Sequence, residues 1–464
     1  MEELVKMPSS VSGCRACLPP GQECSRAKSA RSGDNGAVNR ERSQALGGTG
    51  WRVPEIDLRL VVGIGVPILL ILFTTLVDAV VTPLVIYGKW FDAGRPDFFL
   101  LADSFLHGRL WLAVDWRPPI NDIVILHGHV YVPFAPFPAF LFVPLVALIG
   151  VQHAVAWEPV INALLAGVDV ALAWVTLGAF GVRRWGDRLW LVTLFGFGTV
   201  LWNITERGGV WHTAEIIAMG LTFWGLIETR REQPRPWLLG LLGGAAFLTR
   251  STLLFALLYF AWVIAERPTD LSGLRRAVRE RWLPVVQVAL ASVPFGLVFF
   301  WYNWARFGSP LATGYELATL PPFLEALRAQ GLFSIVHLPM NLDYLFLKGP
   351  EAIISTPPFF QPSTLGMSVL ITSPALLVGL RSLIRSSEAR MLALTGLLVL
   401  IPTLLYYGGG WVQFGYRYLL DSVPFWFALC ALWAARRGVG WIWQLAIAWS
   451  VLVNLGLCYW AFNT

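Results

Sequence analysis

Five aspartates fall close together early in the chain, at Asp92, Asp97, Asp103, Asp115 and Asp122, and His107 follows Asp103 by four residues. Carboxylate and imidazole are the side chains that take a proton from a hydroxyl, and a positioned general base contributes roughly 10²–10⁴-fold to rate. Arginines stand at Arg109, Arg250, Arg306 and Arg417, the last three at or beside the ends of apolar runs. A guanidinium keeps its charge and grips phosphate oxygens through a planar fork. An acid and several arginines on one face would suit group transfer away from a phosphate. Plainer roles compete. "RPDFFLLADSFLHG" reads as a short helix with Pro96 near its start and Gly108 past its end. Asp97 would then satisfy first-turn N–H groups and the helix dipole. Asp103 and His107 share a face of that helix. An arginine at a lipid border is often a snorkelling anchor.

Further polar residues cluster nearby. "HGH" and the tyrosine after it supply His127, His129 and Tyr131, while "ERGGVWHTAE" supplies Glu206, Arg207, His212 and Glu215. None of these sets has a recognised metal-ligand spacing, so no metal or other cofactor is indicated; a divalent ion stays the minority reading. Cys14 and Cys17 form a C-x-x-C with Cys24 near, but a fourth zinc ligand is missing, and Cys430 and Cys458 fall in apolar stretches as core residues do. Asp169 stands alone inside "LLAGVDVALAW", where a carboxylate marks an ion path or a hydrogen bond within a bundle.

What must position these groups is a set of membrane helices. The chain is 56% hydrophobic with 23 Trp, and its mean hydropathy is +0.60. "LVVGIGVPILLILFTTLV" runs 18 residues without a charge, too long for a signal-peptide core. Ten further apolar runs lie near 159–182, 189–204, 213–229, 237–249, 251–265, 283–305, 367–380, 391–407, 418–435 and 440–461. The fold class expected is therefore an all-α polytopic membrane protein of about eleven spans, with some tilted, paired or re-entrant. Its membrane domain would cover 58–462, with long external loops at 84–158 and 306–366, the first holding juxtamembrane helices.

Arginine counts set the expected orientation. The turns around 183–188, 230–235, 267–281, 381–390 and 436–437 hold sixteen Arg, and the alternate short turns hold only Arg207, Arg250 and Arg417. By the positive-inside rule the first set is cytoplasmic, which puts the N-terminus inside and the C-terminus outside a plasma (inner) membrane. This assignment requires that Phe134–Val151, with Pro133, Pro136, Pro138 and Pro144, form a broken, interface-lying or hairpin helix and not a crossing. Topology also explains the formal charge of +6, so nucleic acid is not an expected partner. Residues 1–55, rich in Ser, Gly, Arg and Ala, read as a disordered cytoplasmic tail.

With its elements in this order, the chain resembles the GT-C class of integral-membrane glycosyltransferases, which includes protein O-mannosyltransferases and lipid A aminoarabinose transferases. "LADSFLHGRLWL", "GHVYVPFAPFPAFLFVPLVALIG", "GLLGGAAFLTRSTLLF", "RFGSPLATGYE" and "FGYRYLLDSVPF" are similar to bacterial members, over roughly residues 58–460. The resemblance implies a polyprenyl-phosphate sugar donor and a glycan, lipid or protein acceptor, with chemistry on the outer face. It also implies a first-loop Asp that binds or deprotonates the acceptor hydroxyl: by position Asp97 first, Asp103 second and Asp122 third. The paired acidic motif common in the class is absent here, since "RPDFF" offers one carboxylate. Arg250 and Arg417 would take the departing phosphate, with Arg109 and Arg306 as further candidates. His107, His129, Tyr131, His212 and Glu215 are candidate donor or acceptor contacts. Three alternatives stay open: a multi-pass transporter or lipid flippase, a polysaccharide polymerase or O-antigen ligase, and a non-catalytic scaffold.

Overall fold

The computed structural model describes residues 58–87, 94–117, 120–353, 359–384, 386–410 and 413–460. The tail reading of 1–55, Cys14, Cys17, Cys24 and Asp92 lie outside the described residues.

The described chain is helical with two small antiparallel pairs. It opens with α1 (Leu58–Leu76), continued by a π-helix over Val77–Tyr87, then α2 (Asp97–Leu106). The strands β1 (Val124–Leu126) and β2 (His129–Tyr131) form a hairpin. Next come α3 (Phe137–Ile149), α4 (Val151–Ala156), α5 (Glu158–Ala179), α6 (Trp185–Phe197), α7 (Leu201–Arg207), α8 (Val210–Glu228) and α9 (Pro236–Thr249). A 3-10 turn over Ser251–Phe255 leads into α10 (Ala256–Ile264), followed by α11 (Leu271–Glu280), α12 (Trp282–Phe307) and α13 (Pro322–Arg328). After α14 (Leu338–Leu342), β3 (Glu351–Ala352) pairs with β4 (Phe360–Gln361), and α15 (Val369–Thr372), α16 (Ser387–Leu405), α17 (Val423–Arg437) and α18 (Trp441–Trp460) close the chain.

Six helices are long and apolar enough to cross a membrane among the described residues: Gly63–Val85, Glu158–Ala179, Val210–Glu228, Trp282–Phe307, Ser387–Leu405 and Trp441–Tyr459. The sequence predicts about eleven. The other five runs do become helices, but breakers cut them short. Gly198 ends α6, Arg250 takes an extended conformation after α9, and the run at 367–380 splits at Ser373–Pro374. The run at 418–435 starts as a 3-10 turn at Arg417–Asp421 before α17 takes over. A 14-residue helix such as α9 is about 21 Å long, short of the roughly 30 Å hydrocarbon layer.

Within the proline-rich piece Phe134–Val151, Phe137–Ile149 forms one continuous helix too short to span, and its prolines do not break it. α3 spans 13 residues with Pro144 inside, and Gly150 at φ 79° ends it before α4 turns away. Along α12 the residues Leu290, Val293, Leu297 and Phe300 face outward uncovered, as lipid-facing residues do. The main core joins α5, α6, α8 and α17 through Phe195, Phe223 and Phe427, and a second core packs α2 on α3 through Phe99 stacked on Phe142.

α9 and α12 lie close because α9 carries Gly240 and Gly244, a small-xxx-small pair. A Cβ at Gly240 would stand 2.3 Å from the Val288 carbonyl oxygen, a backbone atom that cannot swing aside. Gly240→Leu is therefore expected to force the pair apart and lower the melting temperature in detergent, by the 1–3 kcal/mol or more typical of overpacking. An unchanged transition would show that the pair tolerates a wider spacing.

The arginine-rich turns lie at one end of α8, α9 and α12, and the Gly208–Gly209 turn, Arg250 and Arg306 lie at the other. α8 runs from the Gly208–Gly209 turn to Arg230 and Arg231, α9 from Arg235 to Arg250, and α12 from Arg281 to Arg306. This arrangement collects one family of side chains at one border.

Candidate active site

Asp122 is placed by two long loop segments and one helix. It sits just before β1 with φ 54°, a left-handed backbone that is uncommon for a residue with a Cβ. Its N–H donates to the Thr319 carbonyl at 2.8 Å, and the Thr319 N–H returns a bond to the Ile123 carbonyl at 2.8 Å. Trp211, in the first turn of α8, donates its Nε1–H to Asp122 Oδ2 at 3.1 Å. The strained residue is thus clamped between the first and second long loops, and such strain persists only where the surroundings impose it.

Arg95 stands beside it. Its guanidinium pairs with both oxygens of Asp97, with Nε to Oδ1 at 3.2 Å, and also donates to the Asn121 carbonyl. The Trp116 and Trp211 rings lie 5.1 and 5.3 Å from it, within cation–π range. The Arg95 carbonyl accepts from Val210 N–H at 2.9 Å. Gly209, at φ 93°, makes this approach possible: a Cβ there would be strained by its backbone and would meet Arg95 N at 3.4 Å.

Across the site, Arg250 Nε lies 3.0 Å from both oxygens of Asp421, and Thr252 Oγ1 donates to Asp421 Oδ2 at 2.9 Å. Glu215 is fully buried between two cations, 3.7 Å from Arg250 Nη2 and 3.6 Å from Arg417 Nη1. Arg417 is 8% exposed, and its Nε finds no hydrogen-bond acceptor among the described residues. A buried donor left without a partner costs about 1–3 kcal/mol, so this N–H is poised for an acceptor that the described residues do not supply. Arg306, at the end of α12, is also buried, and its donors meet the Tyr302 and Val132 carbonyls and Asn303 Oδ1.

These groups line one cavity of about 620 Å³. Arg95, Asp122, His212, Arg250, Arg306 and Arg417 face it, together with Trp211, Tyr315, Tyr406, Tyr407, Tyr418 and the apolar Phe134, Phe299 and Phe333. Of the carboxylates named from sequence, Asp122 is the one on the wall. Asp97 is sealed behind Arg95 with no exposed surface, and Glu215 is sealed behind Arg250 and Arg417. Asp103, His107 and Arg109 form a separate cluster at the end of α2, with Arg109 Nη2 3.5 Å and His107 Nδ1 3.6 Å from the Asp103 carboxylate. His129 stacks on Trp111 at 4.2 Å, and Tyr131 packs against Phe307; neither lines the cavity.

Burial pushes the Asp122 carboxyl above the usual carboxylate range, against the pull of Arg95, the Trp211 hydrogen bond and Arg417. Burial likewise raises Asp97, to about 6, with the paired Arg95 holding it below what burial alone would give. Such displaced values, from burial opposed by named charges in a cavity, are typical of functional sites. Among the described residues no three His, Cys, Asp or Glu side chains converge as metal ligands would.

Sequence reading missed Arg95, Trp211, Asp421 and the four tyrosines. Arg95 had a local signal, a guanidinium two residues before Asp97. Asp421 follows Arg417 by four residues, yet its partner is Arg250, 171 positions away, which no spacing reveals.

No family model matches the chain, and no curated protein matches it. Among solved structures it is similar to the Archaeoglobus fulgidus oligosaccharyltransferase in its apo form, at 14% identity and a TM-score of 0.44. It is likewise similar to that enzyme in complex with an inhibitory peptide and a dolichol-phosphate, at 11% identity and a TM-score of 0.43. Each likeness covers 87% of this chain, which spans only about half the length of those structures, 55% and 56%.

Proposed function

We propose that the chain is a membrane glycosyltransferase of the GT-C class. It would move a sugar from a polyprenyl-phosphate-linked donor to an acceptor hydroxyl at the external face. One observation carries this reading. An ionisable carboxylate, Asp122, shares a single cavity with the arginines 250 and 417, at the helix ends remote from the arginine-rich turns. The acceptor oxygen attacks the anomeric carbon and gives its proton to Asp122. The bond from that carbon to the phosphate oxygen breaks, and the phosphate leaves with the electron pair. Arg417 and Arg250 meet the charge that develops, an electrostatic contribution worth several kcal/mol in a water-poor site. The lipid-linked phosphate is itself the leaving group, so the scheme needs no nucleotide-binding domain. Phe134 on the approach to α3 and Phe299 of α12 supply apolar wall for the isoprenoid. Transfer assays on reconstituted vesicles, across a panel of polyprenyl-phosphate sugars, test the reading directly; absence of transfer from every member overturns it.

Sidedness has its own test. Cysteines placed at Glu325 in the second loop and Arg231 in an arginine-rich turn, both exposed, are expected to react with an impermeant maleimide from opposite sides. Labelling from one side would break the topology.

One observation favours a transporter instead. Asp169 is buried midway along α5, beside Gly220, and its Oδ2 has no hydrogen-bond partner among the described residues. Asp169→Asn is expected to leave sugar transfer intact. Loss of solute flux in vesicles that show no transfer would establish the transporter reading.

A further inference from the structure

The helix α11 presents an uncovered apolar face that topology does not explain. Positive-inside sorting accounts for arginines between α10 and α12, but it places no demand on leucine or valine there. Leu271, Leu274 and Val278 recur at i, i+3 and i+7, so they share one face of the helix. They are 64, 49 and 64% exposed. Ala277 is the one buried residue of this helix. Arg275 and Arg279, one turn apart, run along an edge of the apolar face, with Arg276 further round and Glu280 opposite. All four are exposed, and neither Arg275 nor Arg279 makes an ion pair among the described residues.

Depth along the bilayer normal is fixed by the chain. Arg281 alone separates α11 from Trp282, the first residue of the membrane-length α12, and both Trp282 and Leu283 are exposed. Ten residues of helix reach about 15 Å and cannot cross a roughly 30 Å core. The segment is also built to be a helix: Asp270 caps it, accepting from Gly273 N–H at 2.7 Å. Trp262 Nε1 donates to the Pro268 carbonyl at 3.0 Å and ties the preceding loop to α10.

We propose that α11 lies in the membrane interface and holds anionic phospholipid headgroups, with Leu271, Leu274 and Val278 in the acyl boundary and Arg275 and Arg279 at the phosphates. A short helix with an apolar face edged by arginine binds such a surface by both terms at once. Its complement is a lipid surface and not a protein groove, because the cations border the apolar stripe, where headgroup phosphates lie above acyl chains. This site is at the border opposite the cavity, about 36 Å along α12 from Arg306, and it does not depend on the proposed transferase activity.

The test uses the full chain in nanodiscs, with an environment-sensitive fluorophore on Leu274→Cys or on Glu280→Cys. The probe at 274 is expected to shift to the blue and to be quenched by lipids brominated near the headgroup, while the probe at 280 responds to aqueous iodide. Enrichment of phosphatidylglycerol over phosphatidylcholine around the chain should fall about five-fold for each of Arg275→Gln and Arg279→Gln. Iodide quenching at both positions overturns the proposal, and so does a lipid composition indifferent to both arginines. Protection at 274 only after a soluble protein is added would assign the face to a protein partner and likewise overturn it.

Discussion

Asp122→Asn is expected to lower sugar transfer by roughly 10²–10⁴-fold, the span of a lost general base, while polyprenyl phosphate itself binds as before. Asparagine keeps the shape and can still accept the Trp211 hydrogen bond, so the fold is preserved and only the proton acceptor is lost. The pH profile supplies a second readout. Asp122 must be ionised to take the acceptor proton, and burial has raised its pKa. Activity should therefore fall as pH drops through a value above the ordinary carboxylate range, and the variant's small residual rate should lack that limb. Asp97→Asn separates the two candidates. Asp97 does not touch the cavity; it holds Arg95 between Trp116 and Trp211. Its loss should release Arg95 and act mainly on substrate affinity, raising KM more than it lowers kcat. An Asp122→Asn enzyme that turns over normally, beside an inactive Asp97→Asn enzyme, would return the base to Asp97.

Some elements of the fold are written in local sequence signals and others are not. The helix at Asp97–Leu106 stands where Pro96 and Gly108 place it, because its signals are local: a rigid φ at the start and a permissive one past the end. Crossing number was less legible. Hydropathy reports how apolar a run is, whereas the length of its helix depends on where the backbone leaves helical angles, as at Arg250 and Ser373.

The site was legible in its residue types but not in its pairings. Arg250 and Arg417 were named from their positions at run ends, and both do line the cavity. The order of the aspartates was not readable. Asp97 and Asp122 are 25 positions apart on one loop, and only the fold shows that an arginine seals one while the other faces the cavity. The missing information is long-range: Trp211 reaching Asp122 and Asp421 clamping Arg250 join segments 89 and 171 residues apart.

Arg417→Gln is expected to reduce transfer by about 10²–10³-fold, the loss seen when one preorganised donor to a developing charge is removed. The two cavity arginines differ in how firmly the protein already holds them. Arg250 is bound by both oxygens of Asp421, so truncating it strands a buried carboxylate, and breaking such a pair typically costs 3–5 kcal/mol of stability. An Arg250 variant therefore confounds folding with function. Among the described residues Arg417 has no hydrogen-bonded carboxylate: Glu215 stands 3.6 Å away, and the Arg417 Nε has no hydrogen-bond partner. Glutamine retains part of its packing beneath Tyr418 and removes the charge. The melting temperature should fall less than in an Arg250 variant, because buried Glu215 keeps Arg250 at 3.7 Å, whereas polyprenyl phosphate binding and kcat fall together. Arg417→Lys keeps the charge as a point and loses the fork, so it should recover binding more than rate, because the planar geometry matters most once phosphate charge has developed. Full activity in Arg417→Gln with unchanged phosphate binding would leave the empty Nε without a ligand to explain it, and would move the leaving group toward Arg306.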